Sequence, residues 1–387
     1  MFALSVHPRL AEIPRADWNR LVDPDTPFLR HEFLAAMEEH ECVGEALGWI
    51  PQHLALHDPD GHLVAAAPAY IKYNSYGELV FDWAWADAYR RAGLPYYPKL
   101  VIASPYTPAT GPRLLTAPGP QQSAHQQALI DAIQARATHW PISSVHWLFT
   151  TGEETDRLAQ QGLLPRLGCQ YHWHNRGYRD FDDFLDTFSA EKRKKIKRER
   201  RRVSDAGLHL RRVPGDQVTD EEWAIFHRLY SRTFDKRGGL PTLSRAFFEE
   251  IAASMGEQLL LVLAYHGHRL VAAAFNLIGR DSLYGRHWGS FDEFHSLHFE
   301  TCYYQGLEYC IEHRLSRFEP GAQGEYKVSR GFLPTPTWSA HWIADPRFRQ
   351  AIAQFVDQEA QGVRDYLDAM REHSPYKATE RTTANRA

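Results

Sequence analysis

Glu319, Gln323, Glu325, Lys327 and Arg330 crowd into one stretch, Phe318-Glu-Pro-Gly-Ala-Gln-Gly-Glu-Tyr-Lys-Val-Ser-Arg-Gly-Phe332. A carboxylate there can act as a general base, while Lys and Arg neutralise a phosphate or carboxylate. The competing reading is a solvated loop, since charged side chains are mostly exposed. Two features favour a lined cavity: Glu319 ends a short apolar strand, and Gly321 and Gly324 let the backbone fold tightly around a bound group. Glu319 and Glu325 are therefore the candidate proton acceptors. Gln323, Lys327 and Arg330 are the candidate substrate ligands.

Upstream, His287 and His298 flank the turn Arg286-His-Trp-Gly-Ser-Phe291 and are further candidate bases, because imidazole titrates near neutrality. The chain has 21 histidines, so most are structural. Asn276, opposite that turn on a hairpin, could orient a substrate amide. In the first half, Thr110, Gly111 and Arg113 form a comparable loop able to hold an anion, although Gly and Pro there also read as turn punctuation. Lys192 to Arg202 carries nine basic residues against Glu199, a net of +8, which leaves −12 for the rest of a chain of formal charge −4. Lys194, Lys195, Lys197, Arg198 and Arg201 are candidate contacts to a polyanion. Without interleaved aromatics such a helix touches phosphates rather than reading bases. No serine has a Gly-x-Ser-x-Gly setting and no His pair has zinc-protease spacing, so serine-hydrolase and zinc chemistry are unsupported and no metal site is expected. The 4 cysteines, free of any CxxC pair, suit a reducing cytosol.

The elements that must position these groups recur. Leu261 to Tyr265, a His-Gly-His turn, Leu270-Val-Ala-Ala-Ala-Phe-Asn-Leu-Ile278 and Ser282 to Trp288 repeat an earlier pattern: His53 to His57, an Asp-Pro-Asp-Gly turn, Leu63-Val-Ala-Ala-Ala-Pro-Ala-Tyr-Ile71 and a strand from Glu78 to Trp83. Two similar hairpins in 387 residues imply two similar domains, expected at 1–165 and 166–373, with a polar, disordered tail at 374–387. Helices are expected around 14–21, 31–40, 121–139, 153–161, 189–204, 222–234, 244–253 and 297–313, and from Asp345-Pro346 onward. Charged residues interrupt the N-terminal segment and nothing approaches a membrane span, so the expectation is a cytoplasmic protein.

The chain resembles the FemAB-like group of the GNAT acyltransferase superfamily, described as peptidoglycan biosynthesis or recognition proteins. The resemblance is carried by Tyr106-Thr-Pro-Ala-Thr-Gly-Pro-Arg-Leu-Leu115, Gln170-Tyr-His-Trp-His-Asn-Arg-Gly-Tyr178, Phe188 to Arg200, Leu283-Tyr-Gly-Arg-His-Trp-Gly289 and, most specifically, Phe318 to Phe332. It implies two tandem α/β domains, each a mixed, mainly antiparallel sheet flanked by helices. It further implies an N-acyltransferase that moves an acyl or aminoacyl group from acyl-coenzyme A or aminoacyl-tRNA to an amine by direct attack, with no tightly bound cofactor. The basic helix would then meet tRNA. The alternative from another class is a non-catalytic scaffold that binds cell-wall precursor or RNA. Arg286 and Gly289 match the superfamily's phosphate-loop pattern of Arg or Gln, two residues, Gly, one residue, Gly or Ala; Phe291 departs from its last position.

Overall fold

The computed structural model describes residues 2–377 apart from Arg237 and Gln323. Its strands are β1 (Ala3–His7), β2 (Ile50–Pro51), β3 (His53–His57), β4 (Leu63–Ala67), β5 (Ala69–Lys72), β6 (Lys99–Ile102), β7 (Leu115–Thr116), β8 (Ser144–Thr150), β9 (Leu164–His174), β10 (Leu208–Pro214), β11 (Leu259–His266), β12 (Arg269–Ile278), β13 (Ser282–Ser290), β14 (Arg317–Glu319) and β15 (Leu333–Ile343). They belong to two compact units, one comprising Met1–Cys169 and Pro336–Asp365, the other Gln170–Thr335 and the chain from Tyr366 onward. Residues 336–365, expected in the second domain, instead belong to the first.

In the first unit, β1, β3, β4 and β7 form an antiparallel sheet. In a second sheet β2 and β6 flank β5, β6 runs parallel to β8, and β8 pairs antiparallel with Trp338–Ile343 of β15. The expected single strand Leu63 to Ile71 is two strands, because Pro68 cannot donate to a ladder and the chain changes sheets there. Leu54, Leu56, Leu100, Ile102 and Trp147 form the core with Leu129, Ile130 and Ile133 of the helix Gln122–Ala137. That helix buries one face because these residues recur at near-helical spacing. The strand expected from Glu78 to Trp83 does not form. That segment is a loop, and Trp83 begins a helix, Trp83–Arg91, which sequence reading missed.

The second unit repeats the plan with longer strands in the order β10, β11, β12, β13, β14 and Gln170–His174 of β9. Only β13 and β14 are parallel. Leu-Val-Ala-Ala-Ala thus occupies matching strands, β4 and β12, each antiparallel to the strand before it. The helix Asp220–Asp235 starts at a reciprocal cap between Thr219 and Glu222 and lies on β13. At Gly289 an added Cβ would come 2.2 Å from the Leu229 carbonyl oxygen, so only glycine permits that approach. Trp173, Phe184, Phe188, Ile196, Leu283, Tyr304, Leu307, Phe318 and Phe332 fill the core. Tyr376 joins them, 2% exposed, and donates to the Gly331 carbonyl. The start of the expected disordered tail, Ser374 to Tyr376, is therefore packed; residues 378–387 lie outside the described residues. No helix among the described residues is long and apolar enough to cross a membrane.

Candidate functional site

In the second unit β13 and β14 pair over only three positions, Ser282↔Arg317, Leu283↔Phe318 and Tyr284↔Glu319. Beyond Glu319 the chain turns away at Pro320-Gly321, Gly321 having φ +95°, and winds into a 3-10 turn, Glu325–Arg330. On the other side of β13 the register with β12 slips between Phe275↔His287 and Asn276↔Gly285, leaving Arg286 as a bulge. From Arg286 onward β13 therefore has no strand beside it on its β14 side among the described residues. A bulged strand edge facing an opening offers backbone N–H donors for a developing oxyanion.

The inner layer of this opening is charged and deeply buried. Glu319 is 3% exposed, with Arg317 Nε at 3.2 Å from its carboxylate and His172 Nε2 at 3.8 Å. Burial and the cationic charge of Arg317 hold His172 well below the usual imidazole range, so it stays neutral. Lys327, 1% exposed, donates 2.6 Å to the Gly321 carbonyl. No carboxylate pairs with Lys327 among the described residues, and burial pulls its ammonium down to about 7. At neutral pH a large fraction of it is a free amine.

The outer layer is aromatic. His298 lies 5.4 Å from Trp288, 5.3 Å from Tyr303 and 6.0 Å from Tyr326, centroid to centroid. Arg286 is partly exposed. Burial lowers its guanidinium to about 10, opposed by the Glu319 carboxylate. His287 packs among Tyr230, Phe248 and Phe275, and burial drops it to about 3; it is a neutral packing group there rather than a neutral-pH base.

Other expected residues are committed to structure. The Arg330 guanidinium donates to both Glu199 carboxylate oxygens, at 2.9 and 3.0 Å, and to the Tyr326 carbonyl, and it stacks 3.3 Å over Phe299. Tyr304 also donates to Glu199. Glu325 is exposed and accepts from Tyr366, which contacts Tyr171. Asn276 is buried and donates 3.1 Å to the Leu260 carbonyl, across β11. Gln323 lies outside the described residues.

The phosphate-loop reading is corrected. Arg286 to Ser290 belong to β13, not to a loop, and Gly289 is a packing glycine beneath Leu229. The connection that does follow, Phe291 to Ser296, exposes Asp292 and Glu293, and Asp292 already pairs with Arg269. The guanidiniums of Arg228 and Arg269 lie over the Phe291 ring, so two cations balance the two carboxylates and the connection has no surplus of positive charge to draw a diphosphate.

The first unit has its own parallel pair, β6 and β8, and its loop there is self-contained. Gly111 N donates to the Phe149 carbonyl. Arg113 is buried, donating to the carbonyls of Ala109 and Gly111, while its backbone N–H and that of Leu114 meet the Glu154 carboxylate. Thr110 lies in the same turn, partly buried. Arg113 clamps its own chain rather than offering itself to an anion.

The basic helix runs Ala190–Asp205, burying Ile196, Glu199 and Val203. Lys194, Lys195, Lys197, Arg198 and Arg201 are all exposed. Lys197 pairs with Asp182 at 2.8 Å. Arg200, turned inward, pairs with Glu300 and Glu308. Lys194, Arg198 and Arg201 follow i, i+4, i+7 spacing, so they share one face, and no ion pair engages them among the described residues.

Sequence reasoning missed His172, Glu199, Tyr304 and Arg317. Glu199 carried a signal, as the one acid inside a basic run. His172 alternates with Tyr171 and Trp173 on β9 and so faces away from them.

The family model for FemAB-like proteins, described as peptidoglycan biosynthesis/recognition, matches residues 9–378. Among solved structures, FemX is similar at 13% identity with a TM-score of 0.54, covering 91% of this chain and 100% of its own. The C-terminal domain of a protein assigned as a lysylphosphatidylglycerol synthetase from Agrobacterium fabrum is similar at 10% identity and a TM-score of 0.53, covering 90% of this chain and 96% of its own. A tandem GNAT protein from the clavulanic acid pathway is similar at 13% identity and a TM-score of 0.46, covering 89% and 99%. The fold is shared with FemX and with that C-terminal domain. Comparison with curated proteins finds no match.

Proposed function

Because the chain belongs to the FemAB-like family of peptidoglycan biosynthesis and recognition proteins, we propose that it transfers an aminoacyl group from a tRNA ester to an amine in the second unit's opening. The structural relative named FemX is consistent with that direction. In the reaction the acceptor nitrogen attacks the ester carbonyl, a C–N bond forms, the C–O bond to the ribose breaks, and the proton lost by nitrogen ends on the leaving hydroxyl. The bulged edge of β13 at Arg286 would hold the oxyanion. The neutral fraction of Lys327 would take the amine proton, with Glu319 and His172 fixing charge behind it. His298, Trp288 and Tyr326 would line the entrance.

The observation that carries the choice of donor is the contrast in charge. A stripe of exposed cations, Lys194, Lys195, Arg198 and Arg201, lies on one helix, whereas the connection after β13, where a coenzyme A diphosphate would dock, balances Asp292 and Glu293 against Arg228 and Arg269. The first favours a polynucleotide phosphate backbone; the second offers acyl-coenzyme A no comparable attraction.

The test supplies purified protein with a labelled aminoacyl-tRNA and a short peptide bearing a free amine, and follows label into peptide. Thermal shift with acetyl-coenzyme A runs in parallel. Transfer from the tRNA ester, with no stabilisation by acetyl-coenzyme A, is the expected result. Stabilisation by acetyl-coenzyme A together with transfer from it would overturn the assignment of the donor.

A further inference from the structure

The segment Tyr73 to Trp83 of the first unit, between β5 and the helix Trp83–Arg91, has its polarity reversed. Its two carboxylates, Glu78 and Asp82, are 4% and 2% exposed and both contact the buried Lys99 ammonium. Ser75 accepts from Lys99 and contacts the Tyr97 hydroxyl. Asn74 Oδ1 accepts from Tyr76 N and from Lys72. The apolar side chains point the other way: Tyr73, Tyr76, Leu79, Phe81 and Trp83 are 58%, 69%, 37%, 54% and 42% exposed. Nine large hydrophobic side chains are exposed among the described residues, and five of them fall in these eleven positions. Single exposed apolar residues are ordinary; a cluster is not.

The segment is also held in place. Trp49 Nε1 donates to the Tyr76 carbonyl and Arg166 to the Phe81 carbonyl, and the Tyr76 and Trp83 rings touch at 5.1 Å. Its aromatic groups are thus displayed by a fixed loop.

We propose that this loop docks the protein on a lipid bilayer, its Tyr, Trp, Phe and Leu side chains entering the interfacial layer. The partner's chemistry follows from what the loop lacks. A sugar stacked on these rings would need side-chain hydrogen bonds beside them, yet Asn74, Ser75, Glu78 and Asp82 are all engaged inward. A second copy of the chain would need more surface. Five roughly half-exposed side chains of 150–250 Å² each offer on the order of 500 Å², short of the ~800 Å² per partner of a standard stable interface. The bilayer interface demands neither, and it favours rings with an apolar body and a polar tip. Arg90 and Arg91, exposed at the end of the following helix and sharing the single carboxylate of Asp87, leave the flank net positive beside lipid phosphates. The binding is peripheral, by partial insertion.

The test uses the full chain and sedimentation with vesicles of phosphatidylglycerol and phosphatidylethanolamine, at low and high salt. Tyr76→Ser/Phe81→Ser/Trp83→Ser, all exposed positions, should keep the wild-type thermal midpoint and lose vesicle partitioning roughly tenfold or more. A variant with Lys194, Lys195, Arg198 and Arg201 all changed to Gln separates the basic helix from the loop. It should retain the binding that survives high salt, since apolar insertion is not screened. Brominated lipid should quench wild-type tryptophan emission more than that of Trp83→Phe. Equal partitioning by wild type and the triple variant, or wild-type binding abolished by salt, would overturn the proposal. So would a self-association of the chain in solution that the triple variant removes.

Discussion

In the proposed reaction most turns on Lys327. Burial brings its native-state value down to about 7, whereas the unfolded chain keeps an ordinary lysine near 10.4. Between those values the unfolded state binds the extra proton, so stability rises with pH across that window; below 7 both states are protonated and the cost of burying the ammonium is fully present. Lys327→Met should therefore raise the denaturation midpoint at pH 6 and flatten the wild-type gain between pH 7 and 10. If Lys327 is the proton acceptor, the same variant loses roughly 10²-fold or more in kcat/KM, along with the wild-type rise in rate through about pH 7. A variant that keeps both rate and pH limb would remove Lys327 from the mechanism. Arg330 behaves differently. Arg330→Met strands the buried Glu199 carboxylate and should cost about 3–5 kcal/mol in denaturant unfolding, whereas a residue that only touched substrate would leave stability intact.

At the scale of elements, the exposed face of the basic helix and the packed face of Gly289 make opposite predictions. Changing Lys194, Lys195, Arg198 and Arg201 to Gln removes no buried contact, so the thermal midpoint should hold while tRNA affinity falls and the salt dependence of log K flattens. Unchanged affinity and slope would detach the helix from the donor. Gly289→Ala pushes a methyl into the Leu229 carbonyl and should destabilise by about 1–3 kcal/mol through displacement of the helix Asp220–Asp235, as calorimetry would show. These elements were legible to different degrees. The helices and the duplicated hairpin followed from apolar periodicity and Gly turns. The segment Glu78 to Trp83 misled because its alternation is real but records a loop with acids drawn inward to Lys99, a charge 16 residues further on from Trp83. β15 escaped notice because Pro334 and Pro336 break the strand pattern ahead of the ladder residues Trp338–Ile343. At the site, Glu319 and Lys327 were visible as charges in a Gly-rich stretch. Their neighbours His172 and Arg317 depend on a pairing between β9 and β14 that no local pattern announces.

At the scale of the molecule, one plan has been used twice with different outcomes. Each unit places a parallel strand pair at the centre of a sheet, β6 with β8 and β13 with β14. In the first, the loop Thr107 to Arg113 bonds to Phe149, and the Arg113 guanidinium donates to that loop's own carbonyls. In the second, the chain turns away after Glu319 and leaves a bulged edge with a buried amine behind it. The two halves should then respond differently to equivalent damage. Arg113→Ala leaves buried carbonyls of Ala109 and Gly111 without donors, which costs about 1–3 kcal/mol for each such group, so the midpoint in denaturant should drop substantially. Turnover per folded molecule should stay near wild type. Glu319→Gln, nearly isosteric, should show the reverse: a modest change in midpoint and a kcat lowered with KM little changed, because in the proposed reaction the carboxylate fixes charge behind Lys327 and adds nothing to uniform binding. Measuring both variants at a temperature where each is fully folded separates the two effects. A large kcat loss in Arg113→Ala with Glu319→Gln unaffected would move the reaction to the first unit.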